Sequence, residues 1–161
     1  MTAKEYNTSV DTYADGVYRF VLKNIKDEDK AKDIVQDTFE KLWIKAETVS
    51  FTKVKSYIFT SAYHTMIDYI RKDKRQSMMD DSAELKHAHE KQYSDLSEVL
   101  QEALEQLPPI QKSVILLRDY EGYSYKEIAD TTELNESQVK VYIFRARKFL
   151  KNYIGTIEAV L

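Results

Sequence analysis

Apolar residues recur at three- and four-residue intervals along most of this chain, and residues that break helices are nearly missing: three Gly and two Pro in 161 positions. An all-β fold built on tight turns needs more of both. The expected fold class is therefore all-α. In residues 6–25, Val10, Tyr13, Val17, Val21 and Ile25 fall at helical spacing. Gly16 lies inside that pattern at a cost of about 1 kcal/mol relative to Ala, so packing must hold the helix. Asp27 and Asp29 suit the positive end of a second helix, which is expected to run to residue 47 with Ile34, Val35, Phe39, Leu42, Trp43 and Ala46 on one stripe. Residues 48–55 read as a loop, and a third helix over 55–72 carries Ile58, Ala62, Thr65 and Tyr69. Three such helices can share one core as a small bundle.

Periodicity is lost over 74–94, where polar residues dominate, and a flexible linker is expected there. It resumes at Leu96, Val99, Leu100, Ala103, Leu104 and Leu107. Pro108 stops that helix, and Pro109 can open the next at its first position. Ile110, Val114 and Leu117 continue the pattern to Gly122, which suits a left-handed cap. The expected architecture is two small helical domains, 1–73 and 95–161, joined by the linker 74–94: a three-helix bundle and a four-helix domain.

The C-terminal domain carries two capping signals. Ser124 followed by Glu127 is a capping box, and Asn135 with Gln138 is another. Only the short segment 131–134 separates the two helices they announce, and the second helix is longer and basic. That is the helix-turn-helix pattern; the turn lacks Gly. On the second helix Val139, Ile143, Ala146 and Leu150 step by four, three and four and face a core. Lys140, Phe144, Arg147, Lys148 and Lys151 share another side, with Val141 and Arg145 beside them. In a major groove Phe144 and Val141 can touch thymine methyls, while Arg145 and Lys140 reach base edges or phosphates. Arg118 and the helix start Ser124, Tyr125 and Lys126 are candidate phosphate contacts, because free backbone N–H groups there favour anions. The competing reading of Phe144 is packing on a neighbouring helix.

Charge placement fits this. The chain has a net charge of −3, mildly unusual for a nucleic-acid binder. Yet residues 53–76 hold six Lys/Arg and two Asp, a net +4, and residues 136–152 hold five Lys/Arg and one Glu, again +4. Two basic segments on an acidic chain suggest two contacts with a polyanion; two solvated helix faces are the plainer alternative. No Cys is present, which excludes a disulfide framework and thiolate metal sites. No stretch approaches the roughly 18 apolar residues of a membrane span, and the first residues have no apolar run of the secretory kind. The cytoplasm is the expected compartment.

Three segments resemble one known family. LPPIQKSVILLRDYEGYSYKEIADTTELNESQVKVYIFRARKFL (107–150) is similar to region four of the sigma-70 family, DIVQDTFEKLW (33–43) to the polymerase-docking part of region two, and SYIFTSAYHTMIDYIRKDKR (56–75) to its promoter-melting part. They stand in the family's order and spacing and cover nearly the whole chain outside the linker, so the resemblance is to the short extracytoplasmic-function group. It implies an alternative sigma factor that binds RNA polymerase core at the clamp of the largest subunit and directs promoter-specific initiation. The domain 95–161 would read the minus-thirty-five element through Arg118, Ser124, Tyr125, Lys126, Lys140, Val141, Phe144, Arg145 and Lys148. The domain 1–73 would bind and open the minus-ten element through Lys53, Lys55, Tyr57, Tyr63, His64, Arg71 and Lys72. Stacking of unpaired bases on aromatic rings suits that task; some tyrosines of this helix can instead be core, and for Tyr69 core is the expected reading. Many relatives carry Asn where His64 stands; a histidine can still donate and accept hydrogen bonds. Gln36, Asp37, Phe39 and Trp43 would meet the polymerase, with Phe39 and Trp43 also open to a core reading. The family also implies an anti-sigma partner that holds the two domains together, an arrangement a linker of about 20 residues with an average reach of roughly 25 Å would allow.

No Gly-rich phosphate loop, paired catalytic carboxylates or nucleophile motif is present, so neither an enzyme nor a cofactor is expected. His87, His89 and Glu90 form a metal set on paper only, in the linker. Two other readings stay open: a helix-turn-helix regulator acting outside the polymerase, and a helical adaptor whose basic faces bind an acidic protein.

Overall fold

A computed structural model describes residues 1–79 and 96–160, and every described element is helical. Helix α1 (Ala3–Ile25) starts with Thr2, whose side chain accepts from the Glu5 N–H while the Glu5 carboxylate accepts from the Thr2 N–H. It ends at Lys26 in the left-handed region, φ 59. Helix α2 (Glu28–Ile44) is capped by Asp27, which accepts from the Lys30 N–H. It stops three residues short of the expected end, and turns follow. The segment expected as a loop holds a 3-10 turn, Phe51–Lys53, leading directly into α3 (Val54–Met79). Residues 74–79 are therefore helix rather than linker. They lack apolar periodicity, but Lys, Arg, Gln and Met are good helix formers. The rest of the expected linker lies outside the described residues.

Helices α1, α2 and α3 each pack on the other two, burying Val17, Phe20, Val21, Ile34, Leu42, Ile58, Phe59 and Met66 almost completely. Each such side chain contributes about 1.5–3 kcal/mol. The second half comprises α4 (Leu96–Gln106), α5 (Pro109–Ile115), α6 (Tyr125–Thr132) and α7 (Glu136–Val160). A π-helical turn, Leu116–Tyr120, extends α5, and Gly122 at φ 72 closes it as the sequence indicates. Helices α4, α5 and α6 all pack on α7, around Leu104, Val114, Leu117, Ile128, Val139 and Ile143.

The two halves share a continuous apolar core. Helix α3 lies on α6, and α1 on α5. Phe59 of α3 links them, its ring 6.1 Å from Phe20 and 4.9 Å, edge-on, from Tyr123. Gly16 belongs to this seam. A Cβ there would lie 3.3 Å from Glu121 Oε2 and 3.7 Å from Phe59, so the missing side chain lets Glu121 close on α1. No described helix is long and apolar enough to cross a membrane.

Candidate nucleic-acid interface

The helix-turn-helix is α6 and α7. Ser124 and Glu127 form the reciprocal cap of α6, at 3.1 Å in both directions. Asn135 and Gln138 do the same for α7, at 3.0 and 2.8 Å. The turn turns left-handed without a glycine: Glu133 takes φ 60. Such a conformation costs a non-Gly residue about 1–2 kcal/mol, which burial of Thr131, Thr132 and Ile128 beside it offsets.

Val139, Ile143 and Ala146 are buried, which fixes the outward face of α7. Phe144 is 68% exposed and Val141 45%, so Phe144 does not pack on a neighbouring helix. Lys140, Arg145 and Lys148 are exposed around them. Apolar groups of this size among cations suit a groove that offers both methyls and phosphates. Tyr125 anchors one end of the surface: the Arg118 guanidinium stacks 4.4 Å from its ring centre and the Lys140 ammonium approaches to 5.4 Å. Arg118 also donates to the Tyr123 carbonyl at 2.9 Å, so it orders the start of α6 as well as lending it charge. Ser124 and Lys126 are exposed there. Arg147 is engaged elsewhere: its Nε donates to Asp119 at 3.2 Å, tying α7 to the turn after α5.

The second surface lies on α3. A groove of about 800 Å³ is lined by Lys41, Lys45, Lys53, Tyr57, His64 and Asp130, with hydroxyls from Thr52, Ser56, Thr60 and Ser61. Sequence reasoning named Lys53, Tyr57 and His64 but missed Lys41, Lys45 and the hydroxyls. Their only signal was spacing: Ser56 and Thr60 lie one helical turn apart, as do Tyr57 and Ser61. Arg71 and Lys72 are exposed farther along α3. Tyr63 is only 7% exposed, and burial raises its pKa. It supports the wall from within and offers no face to a base, which corrects the expectation. Lys55 donates to Glu127 Oε2 at 2.8 Å and lies 3.9 Å over the Tyr123 ring. The Lys55 contact, with help from the Ser124 N–H, holds the Glu127 carboxyl below its ordinary pKa. His64 Nε2 stands 3.1 Å from Glu133 Oε1.

The third expected surface is α2. Gln36 is exposed, and Asp37 pairs with Lys41 at 3.0 Å. Phe39 is 7% exposed and belongs to the core, a second correction; its backbone carbonyl accepts from the Tyr6 hydroxyl of α1 at 3.0 Å. Trp43, one turn on, is 56% exposed with its ring edge-on to Tyr6 at 5.0 Å, and Ile44 beside it is 79% exposed. The exposed apolar surface at this end of α2 is therefore Trp43 and Ile44 rather than Phe39. The described residues contain no group of three His, Asp or Glu placed to hold a metal; His87 and His89 lie outside them.

Known proteins share this pattern. The family model described as Sigma-70 region 2 matches residues 10–76, and that described as Sigma-70, region 4 matches residues 97–150. The chain is 34% identical over 147 residues to RNA polymerase sigma factor SigV of Bacillus subtilis (strain 168), covering 89% of this chain and 87% of that protein. It is 31% identical over 147 residues to ECF RNA polymerase sigma factor SigM of the same organism, covering 86% and 88%. Among solved structures, the sigma factor RpoE of Bartonella quintana, in complex with the anti-sigma factor NepR, superposes with a TM-score of 0.79 at 24% identity over 95% of this chain and 98% of that one. CnrH, in complex with the cytosolic domain of CnrY, gives 0.71 at 22% identity over 94% and 88%. At those identities the likeness is one of fold.

Proposed function

We propose a division of labour that starts from one premise: the chain belongs to the sigma-70 family of RNA polymerase sigma factors, in its extracytoplasmic-function group. It is an alternative sigma factor, a protein that binds core polymerase and directs promoter-specific initiation. It acts by binding, in the cytoplasm, with no catalytic step of its own. Residues 95–161 form the module that reads the minus-thirty-five element as duplex. Helix α7 enters the major groove with Val141, Phe144 and Arg145 on bases, while Lys140, Lys148 and the Arg118–Lys126 region hold phosphates. Residues 1–73 form the module for the minus-ten element. Lys53, Lys55, Arg71 and Lys72 attract the backbone, and the groove beside Tyr57 and His64 takes an unpaired base, whose extrusion costs a few kcal/mol that stacking and hydrogen bonds offset. Gln36, Asp37 and Trp43 meet the clamp of the largest polymerase subunit. An anti-sigma factor is the proposed inhibitor, a partner that family membership supports.

The observation that carries the reading is the outward face of α7, where Phe144 and Val141 stand exposed among Lys140, Arg145 and Lys148. Such a face fits a DNA groove better than water. The test is reconstitution with purified core polymerase and transcription from a library of genomic fragments. Initiation at a defined promoter set is the expected result. A chain that neither binds core nor directs initiation at any fragment would overturn the reading, and sequence-specific DNA binding without core binding would place it with regulators that act outside the polymerase.

A further inference from the structure

Several cations of this fold are ordered by carboxylates. Arg147 pairs with Asp119, Lys55 with Glu127 and Lys41 with Asp37. Arg118 and Lys140 are ordered by a ring instead. Their charged groups lie 4.4 and 5.4 Å from the centre of the Tyr125 ring, and among the described contacts neither meets a carboxylate. Three elements of the helix-turn-helix module join at this ring. Arg118 comes from the π-helical turn after α5, Tyr125 is the first residue of α6, and Lys140 lies near the start of α7. The ring itself is fixed: Tyr125 is half-buried against the core, and the Ser124–Glu127 cap sets the backbone on either side.

The difference between a carboxylate and a ring matters where a phosphate must bind. A carboxylate neutralises the cation it orders and has to be displaced by the incoming anion. A ring face attracts the cation but leaves it its charge and its N–H donors. Arg118 uses one of its five donors on the Tyr123 carbonyl, at 2.9 Å, and the others stay open to a second acceptor. We propose that Tyr125 is a positioning residue of the duplex-reading surface, whose ring holds Arg118 and Lys140 in the arrangement that receives DNA phosphates and which acts on DNA through them. Two long side chains then lose their rotamer freedom on folding rather than on binding. This inference rests on the reading of α7 as the duplex-binding helix.

The test is a double-mutant cycle in the full chain. The probe is a duplex selected from random sequence with the parent chain, and affinity is read by fluorescence anisotropy at one salt concentration. Tyr125→Leu is expected to weaken binding about fivefold. Tyr125→Phe, which keeps the ring, is expected to restore most of that loss. In an Arg118→Gln/Lys140→Gln background, Tyr125→Leu should make no further difference. In NMR spectra of the free chain, the Arg118 side-chain protons should carry a ring-current displacement that survives in Tyr125→Phe and vanishes in Tyr125→Leu. Circular dichroism checks that each variant remains helical. Parent-like affinity of Tyr125→Leu would overturn the proposal, as would Arg118 resonances that do not differ between the two variants. A fivefold loss that persists without Arg118 and Lys140, or a Tyr125→Phe as weak as Tyr125→Leu, would overturn it too, by making the tyrosine a direct contact. If no duplex can be selected, the reading of α7 fails and this inference with it. If the parent selects a duplex that Arg145→Ala binds more weakly, the reading of α7 stands and the cycle judges Tyr125 alone.

Discussion

Helices α3 and α7 carry the same surplus of charge in very different company. The segments around them each hold a net +4, and on charge alone they are equivalent polyanion sites. In the fold, α7 turns Val141, Phe144, Arg145 and Lys148 to solvent, whereas α3 has Lys55 and His64 already facing carboxylates of α6. A run of basic residues therefore records the capacity to bind an anion but not which anion holds it. On the proposed reading the exposed surface is the one open to duplex DNA, whereas these cations of α3 are already paired within the chain.

The strongest way to break the comparison is to remove the apolar joint that places α6 over α3. Phe59 is 2% exposed, between Phe20 and Tyr123. Phe59→Ala is expected to cost about 3–5 kcal/mol in denaturant unfolding; a loss under about 1 kcal/mol would mean the seam repacks without it. The next largest effect sharpens the α7 side. Arg145→Ala should weaken a minus-thirty-five duplex by about 1–3 kcal/mol in fluorescence anisotropy at fixed salt. Stability should stay within about 0.5 kcal/mol, because the side chain is exposed.

The smallest effect probes the seam through a proton. Burial lowers the Lys112 pKa from 10.5 to about 8, although its ammonium donates to the Asn24 carbonyl at 3.0 Å. Between those values the unfolded chain holds a proton that the folded chain has released, so stability rises with pH through that window. The gain should be about 1 kcal/mol from roughly pH 8 to 9.5, and absent in Lys112→Met. Tyr63, Tyr69, Tyr120 and Tyr123 have raised pKa values, chiefly from burial. They act in the opposite sense above about pH 10, which sets the upper limit of the experiment. A flat profile in both chains would show that Lys112 keeps its charge in the fold.

Much of the fold was legible because it is local. Apolar spacing located the helices, and the caps at Ser124 and Asn135 fixed where α6 and α7 begin, although α6 runs two residues into the expected turn 131–134. The run from Lys74 to Met79 was misread because its helicity comes from propensity and continuation of α3, with no apolar face to signal it. Phe39 and Trp43 stand one turn apart on α2, and spacing alone does not say which one the core takes in. Tyr63 was ambiguous for the same reason. The seam was not legible at all: Arg19 meets Glu121 and Lys55 meets Glu127 across 102 and 72 residues. Nothing in either neighbourhood singles out those carboxylates from the others on the chain.

The division of labour itself is most directly tested by mapping where each surface lies on a promoter. A cleaving reagent is tethered to Ser137→Cys at the start of α7 or to Ser56→Cys beside the α3 groove, in chain reconstituted with core polymerase. Cuts from position 137 are expected around the upstream duplex element, and cuts from position 56 at the melted element downstream. Cleavage by both at one place, or in the reverse order, would contradict the account.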